Sequence, residues 1–353
     1  MSRGASLMAS NGEYWTKRTL ELNEALANKG TEYYHRLEKE YQRAANEVSK
    51  ELAVLYARLA KNNETLSSEA RKMLTSNELK EFRWKVEEYI ERGRENGVDP
   101  KWTKHLENAS LRARISRLEA MRIQMQNEVE NLMGIEVDGV SALMSSIYTE
   151  GYYRTGHLLQ TGWGIGFSFA QIDTRKVEKV LSSPWVPDGR NFSERIWGVH
   201  RPKLVEELRT GLAQSIIRGE KYSKLADRIA EKFGVAKKRA ENLVLTEGAY
   251  FSSVSQQECY KELEVEQQRF CATLDLRTSE ICREMDGRVF DSKDIEIGVN
   301  APPLHCRCRS VMVPYYGDLP SERAARDKDG KTIMVPGDMT YEDWYKKFVE
   351  NKS

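Results

Sequence analysis

Cys271, Cys282, His305, Cys306 and Cys308 are the residues of this chain whose types and spacing point to chemistry. Thiolate and imidazole are donors that zinc favours in a four-coordinate, tetrahedral site. His305-x-x-Cys308 sets two such donors across one turn of chain, and 22 residues separate Cys282 from His305, an ordinary span for a structural zinc site. Cys282, His305 and Cys308, with Cys271 or Cys306 as the fourth, make a complete ligand set. A second reading of the same residues is a group of free thiols in a small reduced core, with His305 hydrogen-bonded to backbone. Cys259 falls on helical spacing and reads as a core residue.

Catalytic chemistry finds less support. Cys282 and His305 would make a nucleophile and base, but no feature supplies an orienting third group or an oxyanion site. Zinc hydrolases and deaminases carry a general-base Glu beside a ligand, as in H-x-E, whereas His305 is followed by Cys306 and Arg307. Gly162-Trp163-Gly164-Ile165-Gly166 lacks the G-x-G-x-x-G spacing of a dinucleotide site and the Lys-Ser/Thr of a phosphate loop, so it reads as a turn or a close-packed crossing. The expectation is a non-enzymatic protein with no catalytic residue and no cofactor beyond zinc.

Composition narrows the partners. The chain has 353 residues, enough for two or three domains. Lys plus Arg is 55 against 54 for Asp plus Glu, which excludes a global basic field of the kind that binds DNA nonspecifically. Arg288, Lys293, Arg307 and Arg309 leave room for a local basic surface around the cysteines. No run approaches the length of apolar chain that spans a bilayer, and residues 1–14 have no apolar signal core. A protein folding in a reducing cytoplasm is expected, where cysteines are buried thiols or metal ligands rather than disulfides.

The elements that must position these residues are mostly helices. Tyr34, Leu37, Tyr41, Ala44, Val48, Leu52, Leu55 and Leu59 recur at steps of three and four, a helical seam of heptad type that breaks at Asn62 and Asn63. Leu79, Phe82, Val86, Tyr89 and Ile90 carry a second helix, and Asp99-Pro100 marks a helix entry. A third seam runs from Leu111 through Ile115, Leu118, Met125 and Val129 to Leu132 and stops at Gly134. Further helices are predicted over 141–161, over 203–217 ended by Gly219, from a Ser223 cap to Phe233 closed by Gly234, and over 237–255. Ser193 caps a short helix in an otherwise loop-like stretch over 182–202. Then the texture changes. Phe270 to Leu274, Arg288 to Phe290 and Val311 to Val313 read as short strands, with Asp286-Gly287 as a hairpin turn. Residues 317–340 are polar and turn-rich, and Tyr341, Trp344, Tyr345 and Phe348 form the apolar face of a terminal helix. The predicted fold is mainly α with a small α+β C-terminal domain. It divides into an elongated N-terminal helical bundle or hairpin (1–140), a helical middle domain (141–255) and the cysteine-containing unit (256–353).

Three ordered blocks in that last unit resemble one family. They are Thr273-Leu-Asp-Leu-Arg-Thr-Ser-Glu-Ile-Cys282, Met285-Asp-Gly-Arg-Val-Phe290, and Pro302-Pro-Leu-His305 with Cys308-Arg-Ser310. Together they are similar to the C-terminal signature of the Mu F-like phage head-morphogenesis proteins. Residues 219–247 and the tail from Tyr341 to Trp344 extend the resemblance, which covers about residues 190–350. This chain departs at two places: many members have Cys where Ser279 stands, and Cys306 is an extra thiol. The resemblance implies a minor capsid protein of the virion head. It implies association with the portal and other capsid proteins, and a role in head assembly, DNA packaging or DNA delivery, with phage DNA as a further partner. Some members carry an enzymatic domain after the signature, and the roughly 40 residues after Ser310 are too few for one. Two other classes stand beside this reading: a zinc-stabilised nucleic-acid-binding module, and a zinc-dependent enzyme of a mobile element.

Overall fold

In a computed structural model the described residues are 12–61, 73–95, 98–166, 172–327 and 329–350. They form two compact units, each built from separated stretches of chain. One, the clasp unit, takes 1–32, 142–186 and 242–353; the other, the helical unit, takes 33–141 and 187–241. These units cut across the three consecutive segments read from the sequence, because single long helices contribute residues to both. None of the described helices is long and apolar enough to cross a membrane.

The helices are α1 (Gly12–Lys61), α2 (Ser76–Glu95), α3 (Pro100–Ser110), α4 (Arg117–Trp163), α5 (Thr174–Ser182), α6 (Phe192–Arg195), α7 (Arg201–Ile217) and α8 (Tyr222–Glu262). The first seam lies on α1, where Leu37, Tyr41, Ala44, Val48, Leu52 and Leu55 are buried with Tyr33 rather than Tyr34, and buried positions continue back through Leu26 and Leu22 to Trp15. The Leu59 side chain and Asn62-Asn63 lie outside the described positions. Phe82, Val86 and Tyr89 are the buried face of α2. Asp99 caps α3 as its Oδ1 accepts from the Lys101 N–H at 2.9 Å.

Two expected helix ends are absent. Gly134 and Gly234 lie inside α4 and α8, which run on for 47 and 41 residues. A mid-helix glycine costs only about 1 kcal/mol relative to Ala, and packing on both sides outweighs it. Where glycine does end a helix, its backbone is left-handed: Gly219 after α7 has φ +61° and Gly164 after α4 has φ +62°. Leu111 belongs to no seam; it follows α3 and is 81% exposed. Asn191, not Ser193, caps α6, in a reciprocal pair of bonds with Glu194. The glycine-rich stretch proves to be a crossing as well as a turn, since a Cβ on Gly162 would stand 2.2 Å from the buried Trp15 ring.

The clasp unit adds two small sheets. Strands β1 (Gln267–Cys271), β2 (Val289–Asp291) and β3 (Val311–Pro314) form an antiparallel sheet in the order β2-β1-β3, with Arg269 opposite both Val289 and Val313. Asp286-Gly287 is not a two-residue hairpin turn. A loop and the short helix α9 (Glu280–Met285) intervene between β1 and β2, and Gly287, at φ +80°, donates its N–H to Phe270 O at 2.9 Å. Strands β4 (Glu322–Arg326) and β5 (Thr332–Pro336) pair as a hairpin that the sequence reading leaves as loop. The terminal helix α10 (Tyr341–Tyr345) buries Tyr341 and Trp344 against Leu274, Ala325 and Val335.

Alternation along β1 decides where its side chains go. Phe270 and Ala272 join one apolar cluster with Cys282, Cys308 and Met312, whereas Cys271 joins another with Trp15, Tyr260, Val311 and Val313.

Candidate metal centre

Three of the five proposed ligands come together. The donor atoms of Cys282, His305 and Cys308 all lie within 4.8 Å of one another. Cys282 Sγ is 3.3 Å from His305 Nε2 and 3.7 Å from Cys308 Sγ. With zinc bonds of about 2.3 Å to sulfur and 2.0 Å to nitrogen, tetrahedral geometry asks for edges of about 3.8 Å between sulfurs and about 3.6 Å from sulfur to nitrogen. The two separations from Cys282 already stand near those values. Cys282 and Cys308 are buried and His305 is half-buried.

Local structure explains each position. His305 and Cys308 end a tight turn closed by the Cys308 N–H on His305 O at 3.2 Å. Arg307 sits inside that turn at φ +58°, a left-handed backbone that a non-glycine residue holds only when its surroundings impose it. The imposition comes from α8: Arg307 N donates to Thr246 Oγ1 at 3.1 Å, and Arg307 Nε donates to Asn242 Oδ1 at 2.5 Å. His305 Nδ1 lies 2.9 Å from the Cys306 carbonyl, which can only accept. The imidazole therefore donates through Nδ1 and presents the Nε2 lone pair to the sulfurs, the tautomer a metal-ligating histidine adopts. The two sulfurs lie within reach of a weak S–H···S contact. The Cys282 S–H donates to Cys308 and holds that thiol well below the usual range against the effect of burial, and Cys282 is correspondingly pushed up.

The two remaining candidates stand apart. Cys271 faces the other side of the sheet and accepts a weak 3.8 Å contact from Arg323 Nη2. Cys306 is exposed and its Sγ lies 3.2 Å from Thr246 Oγ1. Cys259 is fully buried, as its helical spacing predicts.

Around the trio, the motif residues tie separated segments together. Asp275 Oδ1 accepts from Arg277 N at 2.9 Å and Thr278 Oγ1 at 3.1 Å, and the same carboxylate takes both Arg309 Nη atoms, at 2.5 and 2.8 Å. Burial works against its charge, yet Arg309 holds the Asp275 carboxyl below the usual range. Asp286 Oδ1 accepts from Ala272 N at 2.8 Å, and its two oxygens meet the fork of Arg323 at 2.8 and 3.0 Å. Arg323 also donates to Ala272 O at 2.7 Å. This clasp, missed in the sequence reading, depends on pairing that no spacing reveals. Three of the four residues of the proposed basic surface have partners while staying exposed: Arg309 is paired with Asp275, Lys293 lies 3.6 Å from Asp291, and Arg307 bonds Asn242 of α8. Arg288 remains exposed.

A buried pair of motif carboxylates, each held by an arginine from a distant segment, beside a Cys-His-Cys trio, describes a structural clasp. Residues 206–313 match the family described as "Phage Mu protein F like protein". Over this segment the chain is similar to the Mu F-like family. It is 26% identical over 228 residues to "Minor head protein GP7" of Bacillus phage SPP1, covering 59% of this chain and 71% of that one. It is also 24% identical over 265 residues to "NAD(+)--arginine ADP-ribosyltransferase EFV" of Enterococcus faecalis, covering 68% of this chain and 52% of that protein. The chain thus spans about half the length of the second relative. No solved structure matches.

Proposed function

We propose that the protein is a minor component of a phage head that associates with the portal and other capsid proteins and acts in head morphogenesis, DNA packaging or DNA delivery. The observation that carries this reading is the Mu F-like match over 206–313, which contains the whole Cys-His-Cys trio, joined to the alignment with a phage minor head protein. Its site of action on this reading is the virion head, with assembly in the host cytoplasm. Near-neutral charge and internal pairing of the clasp arginines favour protein partners over nonspecific DNA binding. A non-enzymatic role is favoured by how the motif residues are spent: Asp275, Asp286, Arg309 and Arg323 satisfy one another inside the fold. Co-expressed with the portal protein of its phage, the protein is expected to co-elute in size-exclusion chromatography. Clean separation at micromolar concentration would sink the portal reading.

Within that role, we assign a structural zinc to Cys282, His305 and Cys308. Immediately around them the apolar packing is a small cluster of Phe270, Ala272, Ala301 and Met312 with the two sulfurs, and a metal adds most where local packing is limited. Protein purified without added metal is expected to carry about one zinc per chain, and Cys308→Ser to lose both the metal and the integrity of the clasp unit first. Zinc-free wild type with an unchanged melting profile in Cys308→Ser would leave buried thiols in a reduced core.

A further inference from the structure

The inference concerns the fourth position of the metal centre and rests on the zinc reading above. We propose that this position lies at Ser279 and is filled by oxygen, either the serine hydroxyl or a water that it holds, so that the centre has two thiolates, one imidazole and one oxygen donor.

Ser279 is the N-cap residue of α9, where a serine side chain ordinarily accepts a hydrogen bond from the first turn. It makes no such bond here. Its Oγ is buried and has no hydrogen-bond partner of ordinary geometry. A buried hydroxyl that neither caps nor pairs, beside a metal-ligating sulfur, is the mark of a group waiting for a further partner. Spacing agrees. Ser279 precedes Cys282 by three residues, as His305 precedes Cys308, so the centre is built from two donor-x-x-donor turns facing each other. The alternative sulfurs are placed elsewhere: the alternation of β1 turns Cys271 into the opposite apolar cluster, and Cys306 is exposed against Thr246. Oxygen is a weaker partner for zinc than thiolate in a closed site, so this centre should hold its metal less tightly than a three-thiolate one and keep one exchangeable position.

X-ray absorption at the zinc edge of the full-length protein counts the sulfurs directly. Two sulfurs are expected in the wild type and in Cys306→Ser. The same count is expected in Cys271→Ser, run beside Cys271→Ala because that site is buried. Ser279→Cys is expected to raise the count to three. It should also increase the sulfur-to-metal charge-transfer intensity of the cobalt-substituted protein about 1.5-fold, in proportion to the thiolates, and slow metal loss to a chelator. Three sulfurs in the wild type overturn the proposal, as does the loss of one in a Cys271 or Cys306 variant. So does a count of two in Ser279→Cys. A wild type that takes up neither zinc nor cobalt overturns the zinc reading itself, and the assignment of Ser279 with it.

Discussion

Arg323→Ala is expected to destabilise the clasp unit by about 3–5 kcal/mol, the range found when one partner of a buried ion pair is removed. The side chains of Arg323 and Asp286 are each only 5% exposed. The guanidinium meets both carboxylate oxygens and the Ala272 carbonyl in one fork. Truncation leaves Asp286 charged and buried, and its one remaining bond, from Ala272 N, cannot compensate. It also frees β4 and, through it, the hairpin on which Trp344 packs. Arg323→Lys should recover only part of the loss, because a single ammonium cannot serve two carboxylate oxygens and a carbonyl at once. Asp286→Ala combined with Arg323→Ala should cost clearly less than the sum of the two single changes, since each alone strands the other's charge. Denaturant unfolding of the four proteins measures this. A loss below about 1 kcal/mol in Arg323→Ala, the range of exposed surface pairs, would show that the clasp is not a stabilising contact.

Glu136 should give the helical unit a pH dependence of opposite sign to that of an ordinary surface carboxylate. It is fully buried on α4; Tyr41 donates to its Oε2 at 2.6 Å, Tyr33 donates to its main-chain oxygen at 3.3 Å, and Oε1 has no partner. Burial pushes its carboxyl from 4.5 up to about 7, against the opposing effect of the Tyr41 bond. The cations bearing on these tyrosines are Arg36, at Tyr33, and Arg239 of α8, at Tyr41. With the folded value raised, the protonated form is the one the fold prefers. The contribution is therefore fully present below pH 4.5, is lost as pH rises toward 7, and is constant above that. The difference amounts to about 3 kcal/mol at the conversion of 1.36 kcal/mol per pH unit. Glu136→Gln keeps an acceptor for Tyr41 and removes the ionisation. Its stability relative to wild type should rise by that order between pH 4 and pH 8. Parallel urea-unfolding profiles for the two proteins across this range would rule the account out.

Helices were legible wherever one face is apolar and the other charged, as on α1 and α2. Their ends were not, because Gly134 and Gly234 are breakers by local preference and are overruled by packing that only the folded chain supplies. The β4–β5 hairpin escaped for a different reason. The inward positions of β4 are Arg323 and Ala325, so the buried face of the strand contains an ion pair where an alternation of large apolar residues would have announced it. The grouping of Cys282, His305 and Cys308 was readable because Cys and His are scarce and His305-x-x-Cys308 is a local turn. The rejection of Cys271 was not readable. Strand β1 starts at Gln267 and includes Cys271, but which of its faces meets α9 is fixed by pairing with β2 and β3. Ser279 is an ordinary cap by type, and only its buried, unpaired hydroxyl sets it apart.

The division of the chain also sets an order in time. All residues of the helical unit have been synthesised by Glu241, whereas the clasp unit needs segments from both sides of it. Trp15, Thr16 and Glu13 emerge early, but Arg269, which bonds Thr16, follows 253 residues later, and Ser321, which bonds Glu13, follows 308 residues later. Domains form as their residues leave the ribosome, and long loops are slow to close. The helical unit is thus complete while the opening turns of α1 still lack part of their cover: Trp15 can meet Leu158, Leu159 and Gly162 of α4 once that helix has emerged, but its cluster with Tyr260, Val311 and Val313 waits for the last segments of the clasp unit. An unfinished chain therefore leaves the apolar face of α1 from Trp15 to Leu26 only partly covered, which makes this stretch a place where truncated products would aggregate.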